Sequence, residues 1–225
     1  VLEILSYFFI IQLSEQHIYN NEKENILNSF KTVLRHNYSN KLSLYLNLSI
    51  IFESVATSIW VAAIILTYTR TFLHVDDFWF GLINAAFFSG TIIAGLWMND
   101  KDQFFTKISY PIIIYIPLIL AFINASFILH QSVLLALLMS LLMGIFEDSR
   151  YISLNSVVQR EVPKEALTST YILNNLLSSI FFSLGTLGIS VVVDNQGVMW
   201  AYVISSVAYV LTFILGLYFK TAIKN

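Results

Sequence analysis

Six predominantly apolar stretches govern what this chain can fold into. They cover residues 42–66, 79–97, 109–129, 133–158, 168–193 and 198–219. A helix needs about 20 such residues to cross a bilayer, and each stretch reaches or nearly reaches that length. Inside lipid the backbone has no water to bond, so each stretch must satisfy its own peptide groups as a helix. Composition agrees. Apolar types make up 57% of the 225 residues and charged types 12%, against roughly 45–50% and 25% in soluble domains. Mean hydropathy is +0.72. A soluble fold of this size cannot hide so much Ile, Leu, Phe and Tyr from water, which excludes a cytosolic globular enzyme and a disordered chain. The net charge of −2 excludes a basic nucleic-acid binder. Without cysteine there is no disulfide, thiolate metal site or cysteine nucleophile. The predicted fold class is an all-α integral membrane protein, a six-helix transmembrane bundle over residues 42–225.

A shorter apolar run begins abruptly at Val1 and ends near Leu13. It lacks the basic start and small-residue cleavage site of a signal peptide, and there is no initiating Met. Residues 1–14 therefore read as the end of another transmembrane helix, and the chain as a fragment. Residues 15–41 form one long polar loop, in which Ile26, Leu27, Phe30, Val33 and Leu34 recur at helical spacing. That pattern predicts an amphipathic helix on the membrane surface. With this loop in the cytoplasm, Lys23, Lys31, Arg35, Lys41, Lys101, Lys107, Arg160, Lys164, Lys220 and Lys224 all lie inside. Arg70 alone lies outside, and Arg150 sits within a span. The positive-inside rule then predicts a multi-pass protein of the cell membrane with a cytoplasmic C-terminus. The later connections are short, which predicts that consecutive helices pack as antiparallel neighbours.

The spans differ in charge. The sixth carries none and the third only Asn124 and two prolines, of which Pro117 is expected to kink its helix. Those two spans are expected to face lipid around much of their circumference. The first and fourth hold ionisable groups near mid-depth, where a charge costs several kcal/mol and usually faces a bundle interior or watery cavity. Ser49, Glu53, Thr57 and Trp60 share one helical face. Ser140, Gly144, Glu147, Tyr151 and Asn155 form a second polar stripe, with Asp148 at its edge. Arg150 follows Glu147 by three residues, within reach of an intrahelical ion pair that Asp148 would cap. Glu53 has no charged partner in its own span. Such a carboxylate is protonated, paired across helices, or able to switch, the property a proton-coupled carrier needs. Asn47, Asn174 and Asn175 suit interhelical hydrogen bonds better than substrate contacts, although Asn174 also belongs among the candidate pathway residues. Small residues at Ala86, Gly90 and Ala94, and at Gly185 and Gly188, predict close helix packing.

The sequence contains no GxxxxGK phosphate loop and no HExxH motif. His17, His36, His74 and His130 are scattered over loops on both sides, a poor basis for a metal site. No serine pairs with a histidine at mid-depth. These features point away from an enzyme, a metal and a cofactor, and toward a polar, acid-lined path through a membrane.

Several segments resemble the C-terminal half of a major facilitator superfamily transporter. The order of a span end, a long loop and six helices is that of such carriers from their sixth helix onward. Gln159-Arg160-Glu161-Val162-Pro163-Lys164-Glu165 resembles the loop after the fourth helix in macrolide- and multidrug-efflux-like members. Glu3-Ile4-Leu5-Ser6-Tyr7-Phe8 resembles the opening of their sixth helix, and Gly81 and Gly90 match in position. The loop signature after the second helix survives only as Gly95-Leu96-Trp97-Met98-Asn99-Asp100-Lys101. Ala166-Leu167-Thr168-Ser169 replaces a common Gly-Arg. The resemblance implies a 12-helix fold with a missing N-terminal half, in which the first, second, fourth and fifth helices of each half line the cavity or interface. It implies secondary transport, proton-coupled export of a small amphiphilic compound such as a drug-like molecule or siderophore. Glu53, Glu147, Asp148, Arg150, Thr57, Asn155 and Asn174 would line the path, with Trp60 and Tyr151 giving aromatic contact. The alternatives are a membrane interaction or assembly protein, an inactive half-transporter, or the permease subunit of an ATP-driven transporter.

Overall fold

The computed structural model describes residues 41–99 and 102–220. The expected N-terminal span end and the loop with its amphipathic helix, except Lys41, lie outside the described residues. Among the described residues every regular element is helical. These are α1 (Lys41–Thr57), α2 (Ala62–Thr67), α3 (Asp77–Asn99), α4 (Asp102–Leu129), α5 (Val133–Glu161), α6 (Lys164–Gln196) and α7 (Met199–Tyr218). Five helical segments are long and apolar enough to cross a membrane: Lys41–Trp60, Asp77–Met98, Ile108–Ser126, Ala166–Gln196 and Met199–Tyr218. Helix α5 has the length, but Glu147, Asp148 and Arg150 crowd into four of its positions.

The expected first span is not one straight helix. α1 stops at Thr57, a single 3₁₀ turn occupies Ser58–Trp60, and Val61 is extended (φ −62°, ψ 134°) before α2 begins. A π-helical turn, Tyr68–Phe72, then leads toward the loop. A helix end leaves carbonyls without partners in the helix itself, and here they are met by side chains. Ser58 Oγ donates to Val55 O at 2.7 Å, and Ser205 Oγ from α7 donates to Ala56 O at 2.7 Å. Asn124 from α4 in turn donates to Ser205 Oγ at 2.9 Å. Beyond the break, Tyr68 donates to Phe127 O at 2.8 Å and packs on Tyr202. Across the loop Arg70 of the π-helical turn clamps Asp77 at the start of α3 through bonds of 2.7 and 2.6 Å.

Short loops do not decide the neighbours. The most extensive packing joins α3 to α5, α4 to α7 and to α5, and α1 to α6 and to α7, while α3–α4 and α5–α6 barely touch. The helices thus form an arc in the order α3, α5, α4, α7, α1, α6. Local shape sets this order. A methyl group on Gly90 would overlap Leu141 O, and one on Gly144 would overlap Phe87 O, so α3 and α5 cross backbone to backbone. Ala94 is fully buried and Ala86 half-buried on the same helix. Gly185 lets α6 approach α1, since a Cβ there would lie 3.0 Å from Ser58 Oγ and 3.1 Å from Val55 Cα. Gly188 is exposed with nothing within 4 Å, so it belongs to no helix contact among the described residues.

The third and sixth spans, expected to face lipid, do keep exposed apolar faces, at Tyr115 and Phe122 on α4 and at Val207, Leu211 and Ile214 on α7, but each also packs on its neighbours. In its most apolar stretch the third span is 50% buried and the sixth 39%, against 17% for the second and 11% for the fifth. α4 and α7 sit in the middle of the arc, so one face of each is a dry helix–helix contact while the other is apolar and exposed. Adding a methyl at the α3–α5 crossing should therefore be costly. Gly90→Ala and Gly144→Ala are each expected to lose about 1–3 kcal/mol by overpacking, whereas Gly188→Ala stays near neutral. Unfolding of the purified chain in detergent micelles measures the difference.

Candidate functional site

Because α5 and α6 are held apart, a cavity of about 560 Å³ opens between them. α1 contributes Ile50, Glu53, Ser54 and Thr57 to its wall, and Leu120 and Tyr209 come from α4 and α7. The α5 side presents Glu147, Arg150, Tyr151, Leu154, Asn155 and Gln159. Facing them on α6 are Tyr171, Asn174, Asn175 and Ser178. Of the sequence-derived pathway residues, Glu53, Thr57, Glu147, Arg150, Tyr151, Asn155 and Asn174 meet here. Asp148 and Trp60 do not. Asp148 turns toward α3, its Oδ2 being 3.9 Å from where a Cβ on Gly95 would stand. Trp60 lies beyond the end of α1 and no longer shares the face of Glu53. Its ring stacks on Phe87 at 4.7 Å and meets Phe127 edge-on at 6.0 Å, in the packed core.

The charge arrangement also departs from the intrahelical expectation. Arg150, only 2% exposed, donates through Nη1 to Glu53 Oε2 on α1. Its Nε donates to the backbone carbonyl of Ile113 on α4 at 3.3 Å. The expected Glu147–Arg150 pair is absent among the described residues, because the guanidinium extends across the helix interface toward α1. Glu147 Oε2 is buried without a hydrogen-bond partner, as are Glu53 Oε1, Arg150 Nη2 and Asn174 Oδ1. The site therefore combines the Glu53–Arg150 charge pair with a second carboxylate, Glu147, that has no ion-pair partner, among amides and hydroxyls, and each carboxylate keeps one unpartnered oxygen.

Some lining residues carried no sequence signal. Tyr209 sits in a span whose only distinction was lack of charge, and Ser54 pairs with Ser178 at 3.1 Å across 124 positions. Pro117, which does not line the cavity, did carry one. A proline removes the donor to the carbonyl four residues earlier, so its place in the chain alone marks Ile113 O as a free acceptor.

A family model described as transmembrane secretion effector, of the major facilitator type, matches residues 1–224. An uncharacterized MFS-type transporter of Bacillus subtilis, YjbB, is 24% identical over 165 residues, covering 73% of this chain and 41% of the relative. A second from the same organism, YfmI, is 24% identical over 220 residues, covering 95% of this chain and 52% of the relative. The chain thus spans about half the length of the curated relatives it matches.

Removing one member of the buried pair leaves the other charge uncompensated. Glu53→Leu or Arg150→Met alone is expected to cost about 3–5 kcal/mol, and the double variant to recover most of that loss. Denaturant unfolding of the three variants in one detergent provides the comparison.

Proposed function

This chain belongs to the transmembrane secretion effector family of MFS-type membrane transporters, and from that premise we propose that it forms the C-terminal half of a proton-coupled exporter of small amphiphilic compounds. The observation that carries the proposal is the cavity wall. A carboxylate with an unpartnered oxygen, Glu147, stands among amides and tyrosines in a space of about 560 Å³. That volume suits a small organic molecule. Tyr151, 66% exposed, offers an aromatic face at the mouth, and Asn155, Asn174 and Asn175 offer orienting hydrogen bonds.

In this reading a proton and a cationic or polar substrate group compete for Glu147, with Asn155 and Asn174 holding the substrate. Alternation between the two occupancies drives rocking of the two halves about a mid-membrane site. The apolar faces of α3 and α6, with Phe88, Ile92, Leu176, Ile180, Leu184 and Leu187 exposed, flank the cavity where the N-terminal half would sit. Arg160, Lys164 and Lys220 gather toward the face assigned to the cytoplasm, with the C-terminus.

The test is efflux of a fluorescent amphiphilic cation, ethidium, from cells expressing the protein, with and without a proton gradient. Gradient-dependent efflux is expected, and Glu147→Gln is expected to abolish it while the protein stays in the membrane. Undiminished efflux from that variant would remove Glu147 from the mechanism. An antibody against the tail at Thr221–Asn225 should detect a native product near twice 25.7 kDa, because carriers of this type place their site between two similar bundles.

A further inference from the structure

We propose that Pro117 is a positioning residue: by withholding a backbone donor from Ile113 it holds Arg150 on Glu53 and keeps it off Glu147. In an unbroken α-helix the N–H of residue 117 would bond to the carbonyl of residue 113. Proline has no such hydrogen, and its ring crowds that carbonyl outward. Pro117 lies inside α4, so Ile113 O is released in mid-helix and not at an end. Two donors from two other helices take it. Tyr45 of α1 donates its hydroxyl at 2.8 Å, and Arg150 of α5 donates Nε at 3.3 Å. Tyr45 and Ile113 are both wholly buried, so no water competes for the acceptor.

The consequence is a choice of partner. Glu147 stands one turn before Arg150 on the same helix, at a spacing that permits an ion pair. Glu53 stands on another helix. With Nε fixed to Ile113 O, the planar guanidinium has its orientation set, and Nη1 reaches Glu53. Glu147 Oε2 is then left without a partner at the cavity. A carbonyl oxygen has two lone pairs, and both are in use. Restoring the helix donor would add a third, and the longest of the existing bonds, that of Arg150, is the one to yield. The role of the freed Glu147 rests on the transport reading; the choice of ion pair does not.

Labelling with dicyclohexylcarbodiimide tests the choice without any transported compound. This apolar reagent couples to membrane-buried carboxyl groups and spares those held in an ion pair; mass spectrometry of peptides separates Glu53 from Glu147. In membranes carrying the otherwise unaltered chain, Glu147 should label several-fold more than Glu53. Pro117→Ala should abolish or invert that preference. Adding Tyr45→Phe to Pro117→Ala should restore it, because the carbonyl again faces only two donors. Pro117→Gly, which supplies the same N–H while allowing the helix to bend, should behave as Pro117→Ala does and serves if the alanine variant does not accumulate. An unchanged preference in Pro117→Ala and Pro117→Gly would overturn the proposal. So would a changed preference that Tyr45→Phe fails to restore, since the bend and not the freed carbonyl would then be responsible. Absence of gradient-dependent ethidium efflux from the unaltered protein, with this labelling pattern intact, would count against the transport reading alone.

Discussion

A guanidinium buried at mid-helix is the interaction on which the surrounding structure depends. Moving such a charge out of water costs several kcal/mol even after relaxation, so Arg150 can exist only where other groups answer it. Glu53 answers from α1 and the Ile113 carbonyl from α4. Three helices are thereby tied at one depth. The tie also helps hold α5, the least apolar of the long helices, against α4 with Arg150 turned inward. Glu147 shares its helix with Arg150, so its position at the cavity follows from where the guanidinium is anchored.

The remaining contacts keep α5 and α1 where that anchor requires them. Gly90 and Gly144 bring α3 and α5 into backbone contact, which dispersion can stabilise in lipid where no hydrophobic force distinguishes a helix from an acyl chain. On the other side Gly185 brings α6 onto α1. The interruption of α1 at Thr57–Val61 sits beside the cavity and is held from behind by Ser205 and Asn124. Asn124 of α4 and Ser205 of α7 thus bond to each other and to a broken helix. Neither lines the cavity.

Much of this is legible in the residues, for definable reasons. Long apolar runs announce spans because the bilayer demands length and internal hydrogen bonding, and neither depends on tertiary detail. A polar stripe at helical spacing announces a common face, which brings Glu147, Tyr151 and Asn155 together. The departures share one cause, that a helix in a bundle cannot be read alone. Within one helix the partner of Arg150 is Glu147 by spacing; in the bundle it is Glu53, 97 positions away. Trp60 shares the face of Glu53 only if the helix continues through residues 58–61, where neither glycine nor proline marks a break. Absence of charge in the third and sixth spans suits their exposed apolar faces, but it does not reveal that the opposite face of each packs in the middle of the arc.

The two least covered spans, α3 and α6, constrain how this bundle meets its surroundings. An apolar helix face tolerates lipid and protein equally, so exposure of Leu176, Ile180, Leu184 and Leu187 does not by itself choose between them. The adjoining polar wall does choose. Asn174, Asn175 and Ser178 on α6 and Asn155 and Gln159 on α5 line one open space, and amides facing hydrocarbon would lack hydrogen-bond partners. That opening must therefore be met by water or by protein. The cavity is thus polar inside and bordered by the exposed apolar face of α6. Within it Glu53 and Arg150 set their charges against each other across α1 and α5, while Glu147 Oε2 stands beside them without a partner.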